Sequence, residues 1–306
     1  MTDWIKAARL RTLPLSLSGI IMGAFIAKWR LYGEGGIWDW KILALALLVT
    51  LLYQILSNYA NDYGDGVKGT DANRIGEQRL VAAGIITAAQ MKKAVILFSV
   101  LSFFSALALI YISFGKENFL YAIVFTVLGI ASIAAAIKYT VGKNAYGYSG
   151  LGDLFVFIFF GLVSVVGSNF LYTKSLDWVV WLPATAIGFL SIAVLNLNNM
   201  RDIHNDKAAG KNTLVVKLGF QKAKNYHFFL IFGASILFII AEVIMNILPV
   251  HGVFCAVLFI KHLLFVKNTT EVESRNLDSQ LKIVALGTFL ISILFLLSII
   301  FLRDNF

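Results

Sequence analysis

The sequence is poor in the residues that build disulfide-linked and soluble proteins. Cys255 is the one cysteine among 306 residues, so the chain has no disulfide framework and no cysteine-based metal centre. Charged residues make up only 14% of the chain, whereas hydrophobic residues make up 59% and the mean hydropathy is +0.80. Because a soluble domain of this length cannot bury so much apolar surface, the composition predicts an integral membrane protein.

Nine apolar stretches are long enough to cross the hydrocarbon core as helices, which takes roughly 17–25 residues each. The loops between them are too short for a separate soluble domain, so residues 1–306 are predicted to form one membrane domain. We therefore predict an all-α integral membrane protein built as a bundle of nine transmembrane helices. The predicted spans are 12–28, 40–60, 90–114, 119–137, 152–172, 178–198, 227–247, 250–267 and 281–301.

Lysine and arginine are distributed unequally between the two ends of these spans. With the N-terminus in the cytoplasm, 20 of the 26 basic side chains fall on the cytoplasmic side and the other 6 fall outside. This bias follows the positive-inside rule and predicts a multi-pass protein of the cell (inner) membrane, with a cytoplasmic N-terminus and an external C-terminus. It also accounts for most of the net charge of +9, aided by attraction to anionic lipid head groups, so the charge does not indicate nucleic-acid binding.

Acidic residues number only 17, yet two groups of them stand at the predicted cytoplasmic ends of the second and sixth spans. Ionisable groups at membrane depth are costly and usually mark a functional site. Each group contains one asparagine and two aspartates at helical spacing, so each triplet is predicted to share one face of a helix. The triplets are Asn58, Asp62 and Asp65 in the first group and Asn198, Asp202 and Asp206 in the second.

The chemistry of these groups favours a metal ion and a phosphorylated ligand. Carboxylates that face one cavity repel each other unless a cation neutralises them. Oxygen ligands favour a hard ion such as Mg²⁺, which is commonly shared between carboxylates and the phosphate oxygens of a substrate. We predict a cytoplasm-facing active-site cavity for a metal-bridged diphosphate, beside the cytoplasmic loops of about 61–90 and 200–226. Basic residues that can contact the phosphate follow both groups, namely Lys68, Arg74, Lys207 and Lys211.

Both groups resemble motifs of the UbiA-type intramembrane prenyltransferases. Residues 61–65 (NDYGD) match the first family motif, and residues 202–206 (DIHND) match the second. Within the family, the chain most resembles the 1,4-dihydroxy-2-naphthoate polyprenyltransferases of menaquinone synthesis, through residues 8–14, 61–71 and 199–214.

The chain departs from that subgroup at three positions. Leu10 and Glu77 stand where proline is common, and Asp71 follows Asp65 at a longer interval than in many family members. We therefore place the site on the two main aspartate pairs rather than on Asp71.

The resemblance implies Mg²⁺-dependent transfer of a polyprenyl group from polyprenyl diphosphate to 1,4-dihydroxy-2-naphthoate, with decarboxylation, giving demethylmenaquinol. It implies that the four aspartates are catalytic and that both triplets bind the metal, so the metal ligands would be Asn58, Asp62, Asp65, Asn198, Asp202 and Asp206. The implied substrate contacts come from basic and aromatic side chains, namely Arg9, Lys68, Arg74, Tyr139 and Lys211. A dry cavity lined by aromatic residues would protect the allylic cation from water.

Other interpretations stay open on the sequence. Another prenyl acceptor, such as hydroxybenzoate, homogentisate, a lipid ether or haem, would leave both aspartate groups unchanged. Asp62, Asp65 and Gly66 also resemble the opening of an alcohol phosphotransferase signature, but the following residues do not continue it. A cation transporter could use the acids as an ion path, although transporter sites tend to lie near the membrane midplane. The roles of Asp153 and Glu242, the prenyl chain length and the oligomeric state stay unassigned.

Overall fold

The computed structural model describes residues 2–70, 79–143 and 145–303. Every element of regular structure in these ranges is a helix, and nine helical stretches there are long and apolar enough to cross a membrane. The predicted all-α class and the nine spans are therefore confirmed. The spans are α1 Leu13–Gly33, α2 Trp40–Lys68, α3 Ala88–Phe114, α4 Phe119–Lys138, α5 Gly152–Thr173, α6 Trp181–Arg201, α7 Phe220–Ile244, α8 Val250–Asn268 and α9 Asp278–Arg303.

Capping residues explain where several spans begin and end. Asp39 accepts a hydrogen bond from the N–H of Lys41 at the start of α2, and Thr87 forms a capping box with Gln90 at the start of α3. Gly69 (φ 72°) ends α2 in the left-handed conformation that glycine adopts without strain. The first aspartate group therefore lies in the last three turns of α2.

α6 occupies the middle of the bundle and packs against α5, α7 and α9. Small residues let α5 and α6 approach closely, since a Cβ atom at Gly161 would lie 2.8 Å from the Cα atom of Gly188. Such contacts between small residues are typical of helix pairs in membranes. α2 packs mainly against α3, so the two aspartate groups stand on helices with different neighbours.

α5 contains a π-helical segment, Phe157–Gly167, which the sequence did not predict. A π turn takes more residues than an α turn, so the segment changes which side chains face the neighbouring helices. Phe160 and Ser164 from this segment line an apolar cavity. Since π segments occur frequently at functional sites, the cavity is a candidate part of one.

Glu242 lies in α7 and is buried, with 2% of its surface exposed. Its carboxylate accepts hydrogen bonds from the backbone N–H groups of His251 and Gly252, each at 3.1 Å, and so caps the start of α8. The same carboxylate contacts His251 Nδ1, and His251 Nε2 lies 2.8 Å from Ser298 Oγ on α9. These contacts join α7, α8 and α9, which gives this buried acid a structural role.

Candidate active site

The C-terminal ends of α2 and α6 enclose a small polar cavity of about 60 Å³. Members of both aspartate groups line it, so the fold brings together two motifs that are far apart in the sequence. Three of the four predicted catalytic aspartates are included. The lining residues are Asn61, Asp65, Arg79, Tyr139, Thr140, Gly147, Tyr148, Asn198, Asn199, Asp202, Asn205, Asp206, Lys211 and Thr213.

Asp65 is the member of the first group that lines this cavity, and it is almost fully buried. Its Oδ1 accepts a hydrogen bond from the Tyr148 hydroxyl and lies 3.5 Å from Lys211 Nζ. Its Oδ2 lies 3.7 Å from Arg79 Nη2. In its buried place the carboxylate therefore contacts the Tyr148 hydroxyl and two cations.

Asp62 and Asn58 lie on α2 but do not line the polar cavity. The two carboxylate oxygens of Asp62 accept hydrogen bonds from the backbone N–H groups of Leu80 and Val81, each at 3.1 Å. Asn58 donates through Nδ2 to the carbonyl oxygen of Ala8 at 2.8 Å and lines the apolar cavity. Both side chains thus contact neighbouring backbone, and their metal ligation stays a prediction.

The second aspartate group corrects the prediction of one continuous helical face. α6 ends at Arg201, and a separate short helix, Ile203–Ala208, follows Asp202. Arg201 contacts both carboxylate oxygens of Asp202 at 2.7 Å through Nε and Nη2, and the same Nη2 donates to Asn198 Oδ1 at 2.8 Å. These hydrogen bonds hold the chain where it turns, and Asn198, Asp202 and Asp206 all line the cavity.

The predicted phosphate-binding residues have different positions. Lys211 lines the polar cavity, and Lys68 lies beside it with its Nζ 4.0 Å from the centre of the Tyr148 ring. Arg9 stands at the turn before α1, with a left-handed backbone (φ 47°), away from the lining of both cavities. Arg74 and the trailing Asp71 lie outside the described residues.

An apolar cavity of about 360 Å³ adjoins the polar one and shares Asn61 and Tyr139 with it. Helices α1 to α5 and the segment between α4 and α5 contribute its walls, and most of its lining is apolar. Such a joined pair of cavities suits a ligand with an anionic head and a hydrophobic tail. The aromatic residues of its lining are Tyr53, Phe125, Tyr139, Tyr146, Phe155, Phe159 and Phe160.

Tyr139 follows the end of α4 and stands where the two cavities meet. Burial, with smaller contributions from Tyr146 and Asp65, raises the pKa of its hydroxyl well above the ordinary value. The hydroxyl, which is protonated at neutral pH as in any tyrosine, can donate a hydrogen bond. Tyr139 is thus a predicted substrate-binding residue that the fold turns inward.

The oxygen atoms that line the polar cavity suit a hard cation, which would also bind water or substrate oxygens. Carboxylate and amide oxygens dominate the polar cavity, which is the ligand type that Mg²⁺ prefers. Across the described ranges, no three histidine, cysteine or acidic side chains are close enough to enclose a metal by themselves. A metal here would therefore take further ligands from amides, water or a phosphate group.

Sequence reasoning missed three residues of the site. Arg79 follows the first motif at a distance that gives no periodic signal, and Tyr148 lies between the fourth and fifth predicted spans, outside both motifs. Arg201 stands directly before Asp202, and this neighbouring position in the sequence could have indicated that the two side chains pair. Arg79 and Tyr148 contact the carboxylate of Asp65, and Arg201 contacts the carboxylate of Asp202.

Together these features define a multi-pass helical membrane protein with a polar, oxygen-rich site that opens into an apolar cavity. The chain belongs to the UbiA prenyltransferase family, whose sequence profile matches residues 20–286. It is 40% identical to the 1,4-dihydroxy-2-naphthoate octaprenyltransferase of Escherichia coli, over 97% of this chain and 94% of that protein. It is 42% identical to the protein of the same name from Haemophilus influenzae, over 97% and 95%.

Solved structures of the family share the fold. A UbiA homologue from Aeropyrum pernix K1, without ligand, superposes with a TM-score of 0.69 at 17% identity, covering 93% of this chain and 99% of that one. A homologue from Archaeoglobus fulgidus bound to DMAPP and Mg²⁺ superposes with a TM-score of 0.63 at 13% identity, covering 94% and 98%.

Proposed function

We propose that this chain transfers a polyprenyl group from polyprenyl diphosphate to 1,4-dihydroxy-2-naphthoate, with Mg²⁺ and with loss of carbon dioxide. The observation that carries the proposal is the junction of an acidic, amide-rich cavity with an aromatic, apolar one at Asn61 and Tyr139. Identities of 40% and 42% to two 1,4-dihydroxy-2-naphthoate octaprenyltransferases, over 97% of this chain, support the choice of acceptor.

The polar cavity would hold the diphosphate together with Mg²⁺. Asp65, Asp202, Asp206 and the amide oxygen of Asn198 line it, and they would hold the ion together with oxygen atoms of the diphosphate or of water. When bound, the ion would neutralise the negative charge that develops on the leaving diphosphate. The A. fulgidus homologue binds DMAPP with Mg²⁺, which supports the same cofactor here.

The side chains of this protein would act on both ends of the bond that breaks. The carbon–oxygen bond of the donor breaks and the diphosphate leaves with the electron pair, where Lys211 and Arg79 can stabilise its charge. The allylic cation that remains lies toward the apolar cavity, whose aromatic walls exclude water. Tyr139 can donate a hydrogen bond from its hydroxyl to a ligand at the junction.

The acceptor then completes the exchange. A ring carbon of the naphthoate attacks the cation and forms the new carbon–carbon bond. The bond to the carboxylate breaks, carbon dioxide leaves, and its electron pair restores the aromatic ring. No external base is needed at that carbon, because the carboxylate leaves in place of a proton.

The same proposal includes an orientation in the membrane. The site and its basic residues would face the cytoplasm of the cell (inner) membrane, with the N-terminus on that side and the C-terminus outside. The excess of lysine and arginine at that end of the bundle supports this orientation.

The proposal is tested by carbon dioxide release from carboxyl-labelled 1,4-dihydroxy-2-naphthoate. The purified protein is reconstituted in lipid with a polyprenyl diphosphate and Mg²⁺, and a chelator sample and the variant Asp206→Asn serve as controls. Release that requires the donor, the metal and Asp206 supports the proposal. Diphosphate production with another aromatic acid, without carbon dioxide release, would replace the acceptor. Ion uptake without any prenyl transfer would favour the transporter hypothesis.

A further inference from the structure

Three cationic side chains lie around Asp65. Lys211 Nζ lies 3.5 Å and Arg79 Nη2 lies 3.7 Å from its carboxylate. Lys68, one turn after Asp65 on α2, brings a third cation to the same cluster. Three cations around one carboxylate match a polyvalent anion, so this side of the polar cavity is suited to a diphosphate.

Tyr148 contacts most of this cluster. Its ring lies 4.0 Å from Lys68 Nζ and 4.9 Å from Lys211 Nζ, measured to the ring centre. Its hydroxyl donates a hydrogen bond to Asp65. One aromatic side chain therefore contacts a lysine from each half of the protein and the carboxylate between them.

The backbone around Tyr148 is fixed to the segment that carries Lys211. The carbonyl oxygen of Tyr148 accepts a hydrogen bond from the N–H of Asn212 at 2.9 Å, and Lys217 Nζ donates to the carbonyl oxygen of Ser149 at 2.7 Å. Gly150 has a φ of 81°, and a Cβ atom there would lie 2.8 Å from the carbonyl oxygen of Asn212. The ring is consequently held at a defined place relative to the second motif.

We propose that Tyr148 is a positioning residue for the diphosphate, whose ring holds Lys68 and Lys211 toward the polar cavity and whose hydroxyl orients Asp65. The identity of the anion rests on the proposed function. A free lysine loses side-chain entropy when it binds phosphate, and a lysine already held against a ring loses less. The tyrosine therefore strengthens diphosphate binding without touching the reacting atoms.

The test separates the ring from the hydroxyl. Tyr148→Leu removes both, whereas Tyr148→Phe keeps the ring and removes the hydrogen bond to Asp65. Tyr172→Leu is the matched control, because Tyr172 is a buried tyrosine stacked on Trp38 and lines neither cavity. Binding of inorganic diphosphate to the full chain in lipid nanodiscs is measured by calorimetry, with Mg²⁺ and with a chelator.

Tyr148→Leu should weaken binding of inorganic diphosphate about 5- to 30-fold, because two cation–π contacts are lost. Tyr148→Phe should bind diphosphate within about twofold of the unmodified protein in chelator, yet need a higher Mg²⁺ concentration for half-maximal binding, since Asp65 loses the hydroxyl that orients it. The Tyr172→Leu control should bind diphosphate like the unmodified protein. Unchanged binding by folded Tyr148→Leu overturns the proposal, and equal losses in Tyr148→Leu and Tyr148→Phe overturn the role of the ring.

If Tyr148→Leu does not fold, fluorinated phenylalanines at the same position keep the shape and weaken the negative face of the ring. Affinity should then fall stepwise with fluorination, and a flat series overturns the proposal. The measurement needs no prenyl transfer. Loss of diphosphate affinity in Tyr148→Leu, together with absence of carbon dioxide release from any acceptor, would keep the positioning role and reject only the proposed reaction.

Discussion

Asp62 and Asp202 stand in corresponding motifs, yet their carboxylates have different partners. Asp62 accepts hydrogen bonds from two backbone N–H groups, those of Leu80 and Val81, which hold a neighbouring segment against α2. Asp202 is paired with the side chain of Arg201 and lines the polar cavity. At the scale of single residues, the Asp62 carboxylate contacts backbone groups, whereas the Asp202 carboxylate contacts a side chain and lines the polar cavity.

This difference gives a prediction for two matched variants. Asp62→Ala removes the acceptor of the buried Leu80 N–H group and of the partly buried Val81 N–H group, so it should lower the free energy of unfolding by about 1–3 kcal/mol, mainly through Leu80. Asp202→Asn keeps the shape of the side chain but removes the negative charge that pairs with buried Arg201, so it should abolish turnover and also lower the melting temperature in detergent. Thermal unfolding and prenyl transfer are measured on both variants. Full activity of Asp202→Asn would remove the second motif from the site.

The spacing of the acids allowed Asp65, Asp202 and Asp206 to be predicted near one another, because both groups follow spans that end on the same side of the bundle. The partners of Asp62 could not be predicted, because Leu80 and Val81 return to α2 only through tertiary packing. Tyr148 was missed for a similar reason. Nothing in its local sequence indicates that a loop tyrosine contacts an aspartate 83 positions away.

At the scale of helices, apolar length was enough to predict all nine spans in the described ranges, because crossing a membrane is a local requirement of length and hydropathy. Departures from regular α-helical geometry could not be predicted from length and hydropathy. The π segment Phe157–Gly167 and the break after Arg201 depend on contacts between helices. Glu242 is a further case, since its partners stand at the start of α8.

Replacement of Glu242 tests its role between helices. Glu242→Gln keeps the shape but loses the charge that faces His251 and two backbone donors, so it should destabilise the protein by about 1–3 kcal/mol. Turnover per folded molecule at low temperature should be unchanged. Ser298→Ala, which removes only the contact to His251 Nε2, should have a smaller effect on thermal unfolding. Loss of turnover by Glu242→Gln without loss of stability would contradict the structural role.

At the scale of the whole molecule, the aspartate groups, Lys211 and the turn at Tyr148 gather at one end of the bundle. The bundle has no large part outside the nine spans in its described ranges, so orientation in the membrane decides which compartment supplies the diphosphate. The single cysteine makes that orientation measurable, because Cys255 is buried and can be replaced.

Two exposed positions at opposite ends of the bundle suit a labelling experiment in a Cys255→Ala background. Ile37 is 90% exposed in the connection between α1 and α2, and Val272 is 88% exposed between α8 and α9. Ile37→Cys should react with a membrane-impermeant maleimide in intact cells, and Val272→Cys should react only after permeabilisation. The reverse pattern would place the site on the outer side.

The volume of the apolar cavity has a consequence for how rates must be measured. At about 360 Å³ it falls in the lower part of the range of small-molecule sites, about 300–1,000 Å³, so it can hold the reacting end of a long isoprenoid but not all of it. The rest of the isoprenoid must stay among the lipid tails while its diphosphate end reacts. The effective donor concentration is then a mole fraction in the bilayer, and added inert lipid should slow the reaction at constant bulk substrate.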